Sequence, residues 1–485
     1  MSRMVSPVDP EARARAVKRC RQRGVLMPTF AQLRDPSRAP DAVKARLPGV
    51  GLWDVDPVNL FRITWKNDPA TGGYGAVNAL EIPREITGVP ARIIGLVGKY
   101  FPTGAHKVGA AYGCLVPRLV TGAFDIDAHK AVWPSTGNYC RGGAFDCALL
   151  GCTAVAILPE GMSRERFNWL RQIGAEVIAT PGTESNVKEI YDKCWELRED
   201  PKHVILNQFD EFGNPLFHYN VTGPALEEVF QEMGDPRLRL AGFVSATGSA
   251  GTIAAGDYLK TRYPGAFVVA SEAQQCPTLF MNGWGAHRIE GIGDKHVPWV
   301  HNVRMTDGVA AIDDEDSMRV LRLFNEEEGL AFLQGLGVGT EVADRLPLLG
   351  ISSIANLLAS IKAAKYWELS DRDVVLTVFT DSAALYRSRV DEMRAERGMY
   401  TATQAARDFE GPLAHQGTDF FRELSYRDRK ALHNLKYYTW VEQQGKASSE
   451  LDELWDPDFW VQMLAGEVAA VDEAILAFNR DVAAL

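Results

Sequence analysis

The sequence holds no Cys-x-x-Cys pair, no block of lysines and arginines, no run of about 18 uncharged apolar residues, and no internal repeat or low-complexity tract. Each absence removes a class of protein. The seven cysteines, Cys20, Cys114, Cys140, Cys147, Cys152, Cys194 and Cys276, form an odd set without paired spacing. They read as reduced thiols in a cytosol and not as a disulfide framework. Charge runs acidic, with 52 Lys and Arg against 63 Asp and Glu and a net charge of −11, so nucleic acid is not an expected partner. His106, His287 and His296 do not fall at ligand spacing, and no metal site is expected. The charged opening MSRMVSPVDPEARARAVKRCRQRG lacks the apolar core of a secretory signal, so the expectation is a cytoplasmic protein without a membrane segment. What remains is the composition of an ordinary folded chain, 46% apolar and 24% charged. At 485 residues it exceeds one core and suggests two or three structural units.

Residues 1–75 are rich in Pro, Arg and Asp and read as an N-terminal arm with few regular elements. From about Pro90, short β-branched runs (His129 to Trp133, Thr153 to Leu158, Glu176 to Ala179, Val204 to Leu206, Phe243 to Ser245, Phe267 to Ser271, Val374 to Thr380) alternate with amphipathic stretches such as Ser185 to Arg198 and Ile354 to Trp367. Largely apolar strands separated by helices predict an α/β fold of two open, mostly parallel sheets flanked by helices. Residues 76–390 would form this core, with a smaller subdomain at about 110–230 and a larger one made from the rest. Beyond about Val390 the strands are expected to stop, leaving residues 391–485 as a helical extension. Its aromatic cluster Tyr437, Tyr438 and Trp440 reads as core or subunit interface.

Three segments carry chemistry. In PTGAHKVGAAYG, Pro102 to Gly113, a Gly turn delivers His106 and Lys107 to the start of a small-residue helix. The positive end of a helix dipole disfavours a second cation there, which favours the neutral amine that Schiff-base chemistry with an aldehyde requires. In WPSTGNYCRGG, Trp133 to Gly143, small and polar residues follow a strand and open a helix, more of them than one cap needs, and such a helix start can grip a carboxylate. In SATGSAGTIAAG, Ser245 to Gly256, residues Gly248, Ser249, Ala250, Gly251 and Thr252 can form a nest of N–H donors around a phosphate. No Walker-type lysine accompanies it. Together these describe a site for a phosphorylated aldehyde cofactor and an amino acid.

These segments, with NQFDEFGNPLFHYNVTGPALEEV (Asn207 to Val229), GAHRIEGIGDKHVP (Gly285 to Pro298), EEEGLAF and GISSIA, resemble those of the fold type II pyridoxal-phosphate enzymes, most closely the cysteine synthase and cystathionine β-synthase group, over roughly residues 75–390. The resemblance implies pyridoxal 5′-phosphate bound as a Schiff base to Lys107, with Asn138 on its 3′-oxygen. Gly248, Ser249, Ala250, Gly251 and Thr252 would hold its phosphate, and Ser352, or alternatively Ser353, would face its ring nitrogen. Ser135, Thr136, Gly137 and Tyr139 would supply the substrate-carboxylate loop, with Gln208 reaching in from the far side. The implied reaction is β-elimination or β-replacement on cysteine, serine or an O-activated serine through an aminoacrylate. An ammonia-lyase or dehydratase, or a cofactor-binding β-subunit needing a partner chain, is the alternative. A small amino acid is the expected substrate, and a homodimer, with a possible second subunit, the expected assembly.

Departures qualify the resemblance. Val108 and Gly109 stand where cysteine synthases usually have Asp and Arg, so TGAHK is closer to the tryptophan synthase β-subunit. That family's glutamate before the carboxylate loop is missing from Val132, Trp133 and Pro134, which disfavours tryptophan synthesis. Tyr139, Cys140, Ala250 and Ile354 each add bulk near the pocket and point to a substrate other than O-acetylserine. The TGN followed by RG, and NWLRQIGAEVIAT, resemble diaminopropionate ammonia-lyase.

Overall fold

The structure, a computed structural model, describes residues 3–6, 8–135, 137–183, 187–293 and 295–484. In chain order the strands are β1 Ala79–Ile82, β2 Arg92–Val97, β3 Lys130–Pro134, β4 Thr153–Pro159, β5 Glu176–Thr180, β6 His203–Ile205, β7 Arg239–Ala246, β8 Phe267–Ala273, β9 Gly308–Ile312, β10 Asp373–Phe379 and β11 Phe421–Glu423. They make a seven-stranded sheet of order β1-β2-β10-β7-β8-β9-β11 and a four-stranded sheet of order β5-β4-β3-β6. The small sheet is wholly parallel, and the large one is parallel except at its two edge pairs, β1 with β2 and β11 with β9. All seven residues of β10 and all five of β9 are buried, as strands covered by helices on both faces must be.

The expected α/β architecture is the one observed, and two local expectations are corrected. Strands do not stop at Val390: β11 pairs Phe421 with Ala310 and Glu423 with Gly308, closing the free edge of β9. Three residues are too few to show a period, and only the tertiary edge makes them a strand. The stretch expected to hold few regular elements contains the helix Pro10–Arg23, started by Asp9, whose side chain accepts from the amides of Glu11 and Ala12, and ended by Gly24 at φ 65°. Its buried face is Ala12, Ala16, Val17 and Cys20, a helical repeat set among arginines that mask it. No single helix among the described residues is long and apolar enough to cross a membrane.

Both ends of the chain are built into the core. The last helix, Glu467–Ala484, packs on Pro10–Arg23 and on the helix Lys107–Thr121, burying Val471, Ile475 and Phe478 in the largest apolar cluster. Asp472 accepts from the backbone amides of Phe30 and Ala31 at 2.6 and 3.1 Å, and Asn479 pairs with both backbone groups of Met27 at 3.0 and 2.7 Å. In the same tail Lys436 Nζ donates to the carbonyls of Trp299 and His301 at 3.0 and 2.7 Å. Phe478→Ala therefore removes a fully buried ring from beneath the Lys107 helix and is expected to cost about 3–5 kcal/mol. A urea titration should show a lower midpoint with an unchanged slope.

Candidate active site

The segments that bring Lys107, Ser135, Gln208, Ser249 and Asp381 to the site leave the carboxyl ends of parallel strands, where open α/β sheets place their clefts. Chain leaving β2 makes two short 3-10 turns, Gly98–Tyr100 and Pro102–Gly104, before the helix opens at Lys107. Thr103 and Gly104 lie in the left-handed region at φ 66° and 72°, a costly conformation for a β-branched residue. This sharp turn buries His106, which stacks on Trp65 at 5.6 Å and shares a 3.0 Å hydrogen bond with Thr252 Oγ1. Burial, reinforced by the charge of Lys107, lowers the His106 pKa to about 3, so the imidazole is neutral. Lys107 Nζ donates to Ser249 Oγ at 3.0 Å and to Gln208 Oε1 at 3.3 Å.

The loop after β3 and the helix Asn138–Leu150 form the second wall. Gln208 Nε2 donates to Ser135 Oγ at 3.3 Å, and the Gly137 amide donates to the same hydroxyl at 3.1 Å. Gly142 lets this helix press against the Lys107 helix, since a Cβ there would lie 2.7 Å from Val108 Cα. Asn138 Nδ2 donates to Asp381 Oδ2 at 2.6 Å, while its Oδ1 is enclosed without a partner among the described residues. Tyr386 donates to the same Asp381 oxygen at 2.6 Å and accepts from Arg166 Nη2 at 3.1 Å. Burial raises the Asp381 pKa against the opposing effect of these hydrogen bonds. Tyr139 points away from the loop, its hydroxyl donating to the Leu206 carbonyl at 3.1 Å and its ring packed edge-on against Trp133. Thr136 lies outside the described residues.

The third wall is the turn Gly248 to Thr252 after β7. Ala250 sits at φ 58°, so left-handed geometry is imposed on a residue with a Cβ, and such a turn converges successive N–H groups into an anion nest. A Cβ on Gly251 would collide with the Asn214 side chain, whose Nδ2 donates to Ser249 Oγ at 3.0 Å and to the Gln208 carbonyl at 2.9 Å. Opposite, Ser352 and Ser353 lie in the first turn of the helix Ile351–Tyr366. Ser353 Oγ is committed to the Asp381 carbonyl at 3.1 Å, whereas the Ser352 hydroxyl makes no hydrogen bond among the described residues.

Lysine amine, carboxylate loop and nest are thus linked by hydrogen bonds, and the enclosed Oδ1 atoms of Asn138 and Asn214 have no partner among the described residues. The donor set fits pyridoxal phosphate: an amine for its aldehyde, N–H groups for its phosphate and a hydroxyl for its ring nitrogen. Asp381, Tyr386, Arg166 and Asn214 were not singled out from the sequence. Asp381 had one available signal, its position at the carboxyl end of β10, and Asn214 lies inside the NQFDEFGNP segment without a motif of its own.

Residues 99–334 match the family described as pyridoxal-phosphate dependent enzyme. A cysteine synthase of Staphylococcus aureus is 33% identical over 258 residues, which is 53% of this chain and 75% of that protein. The O-acetylserine-dependent cystathionine β-synthase of Helicobacter pylori superposes with a TM-score of 0.53 at 27% identity, covering 64% of this chain and 94% of that one. A hydrogen sulfide-producing enzyme of Fusobacterium nucleatum gives a TM-score of 0.54 at 25% identity over 64% and 95%. The chain belongs to the fold type II pyridoxal-phosphate-dependent enzymes, in the cysteine synthase and cystathionine β-synthase group, with pyridoxal phosphate as cofactor and β-replacement or β-elimination as its chemistry.

Proposed function

We propose that Lys107 anchors the cofactor and serves as the proton carrier at Cα of a small polar amino acid whose Cβ substituent is then lost or exchanged. The observation that carries this reading is the reach of Lys107 Nζ to both Ser249, in the nest, and Gln208, which in turn bonds Ser135. Amine, phosphate nest and carboxylate loop are joined through two side chains. When bound, pyridoxal phosphate supplies the electron sink that acidifies the Cα–H bond.

The residues divide the remaining work. Gly248, Ser249, Ala250, Gly251 and Thr252 would hold the phosphate, and Asn138 the 3′-oxygen. Ser135, Gly137 and Gln208, with Thr136, would take the substrate carboxylate at the start of the Asn138–Leu150 helix, where the dipole already favours an anion. Tyr139 would contribute through its backbone, because its side chain is spent in the core. Ser352 would meet the ring nitrogen, since Ser353 already donates to Asp381. A hydroxyl there leaves the ring neutral, which suits loss of a β-substituent better than transamination. Lys107 would accept the Cα proton, and the substituent would leave Cβ with the bonding electrons. A homodimer in the cytoplasm is the assembly and place this reading assigns, and light scattering on the purified protein tests the first.

Borohydride reduction of the holoprotein followed by peptide mapping should place the pyridoxyl label on Lys107. A label on another lysine, with Lys107→Ala still yellow and active, would refute the assignment. Gly251→Val forces Asn214 off Ser249 and intrudes on the nest, so cofactor affinity should fall at least tenfold, about 1.4 kcal/mol. Fluorescence titration with pyridoxal phosphate measures it, and wild-type affinity would remove the nest from the site.

A further inference from the structure

Four arginines are buried among the described residues, and three have evident partners. Arg62 donates to the carbonyls of Leu47, Val50 and Gly72, Arg166 pairs with Glu290 and Tyr386, and Arg322 pairs with Glu326. Arg141 is 3% exposed, and its side chain makes no hydrogen bond and no ion pair among the described residues; its Nε is fully enclosed. Its guanidinium packs against a pair of indoles that meet edge to face at 5.8 Å, with Cζ 5.3 Å from the Trp53 ring and 4.9 Å from the Trp169 ring. Burial, and the nearby charge of Arg166, lower its pKa only to about 10, so it stays charged at neutral pH. Cation–π contact offsets part of the cost of burying a charge, but the enclosed Nε–H has no acceptor and the Nη groups find none among the described residues.

Placement says what would meet them. Arg141 stands in the first turn of the helix that begins at Asn138, and a long helical side chain leans toward the helix N-terminus, here the carboxylate loop. Its neighbour Gly142 touches the backbone of Lys107 and Val108, and Trp53 lies over Gly104 in the turn that delivers Lys107. The carboxylate acting on Arg141, Asp381, is already engaged by Asn138 and Tyr386. The loop and Gln208 suffice for one substrate carboxylate, so Arg141 is surplus to it.

We propose that Arg141 forms a second anion subsite of the active site, which takes an acidic group carried either on the Cβ substituent of the amino-acid substrate or on the nucleophile that replaces it. The proposal rests on the cofactor reading above and names its substrate class. A guanidinium fork matches a carboxylate, phosphate or sulfonate with two parallel hydrogen bonds, whereas an uncharged substituent leaves the buried cation unpaired.

The holoenzyme is assayed with O-phospho-L-serine and O-acetyl-L-serine. Elimination breaks Cα–H and Cβ–O, the oxygen departs with the bonding pair as phosphate or acetate, and water completes pyruvate and ammonium. In a second arm O-acetyl-L-serine is given thiosulfate or neutral 2-mercaptoethanol, either of which displaces acetate. Arg141→Met should lower the anionic-to-neutral ratio of kcat/KM about 100-fold in one arm, and Arg141→Lys about tenfold. A fall confined to the first arm places the anion on the substrate, and one confined to the second places it on the nucleophile. Ratios unchanged in both arms overturn the subsite and leave Arg141 as packing against the Trp53 and Trp169 pair. Should the variants not fold, the unsubstituted enzyme decides: L-aspartate should perturb the cofactor absorbance at about tenfold lower concentration than L-asparagine, and equal concentrations overturn the proposal. A wild-type protein that takes up no pyridoxal phosphate overturns the cofactor reading itself, a result seen before any ratio is measured.

Discussion

Close backbone contact around the helix that starts at Lys107 constrains everything else in the molecule. Gly113 on that helix and Gly213 in the segment after β6 each face the other's carbonyl oxygen, with no room for a Cβ on either. Gly142 makes the same kind of contact at the other side of the helix. With these segments held at backbone distance, the Lys107 amine reaches Gln208 and, on the turn after β7, Ser249 at hydrogen-bond distance. The N-terminal helix and the last helix then cover the outer face of the Lys107 helix, so the two ends of the chain stabilise the element on which the chemistry stands.

A buried polar chain ties the small sheet to the large one across the cleft. Arg166, from the helix Arg164–Gln172 that follows β4, reaches Glu290 at 3.0 Å and Tyr386 at 3.1 Å, and Glu290 is held from the other side by Arg389 at 2.6 Å. Glu165, one residue earlier, accepts from both the amide and hydroxyl of Ser388 at 3.0 and 2.8 Å. A buried ion pair of this kind adds little net stability over apolar packing, but breaking it leaves a buried charge uncompensated. Its contribution is to geometry: the two sheets have one favourable relative position, and in that position the carboxylate loop faces the nest.

Legibility followed the locality of the signal. Strands β3, β4, β5, β6, β7, β8 and β10 were visible as short β-branched runs, and the three chemical segments as Gly-rich turns after strands, because each is encoded within about a dozen residues. What escaped is non-local. β1, β2 and β9 are short apolar runs that no period separates from helix, and β11 exists through its pairing with β9. The Pro10–Arg23 helix hid because only four of its residues face the core. Asp381, Tyr386 and Arg166 belong to the site through contacts spanning more than two hundred residues, which no spacing in the chain announces. In the sequence Arg141 stands only within a TGN and RG pattern; the lack of a side-chain partner among the described residues is a fact of packing.

Strain and orientation at the site come from the same economy of contacts. Thr103 and Ala250 hold left-handed conformations that glycine would adopt freely, on the two turns that deliver the lysine and form the nest. Each costs about 1–3 kcal/mol and persists where the surroundings over-determine it. Here the 3.0 Å bond between His106 and Thr252 links the two turns directly, so neither relaxes without disturbing the other. Because His106 is neutral, that link adds no cation beside Lys107. Asp381 acts similarly on Asn138: a carboxylate accepts hydrogen bonds and does not donate, so the amide must turn its nitrogen toward it. One amide proton is consumed there, the other remains for an oxygen in the cleft, and the enclosed Oδ1 is left requiring a donor. The orientation of the residue that would meet the cofactor is thereby set before any ligand arrives, by a carboxylate lying 243 residues further along the chain.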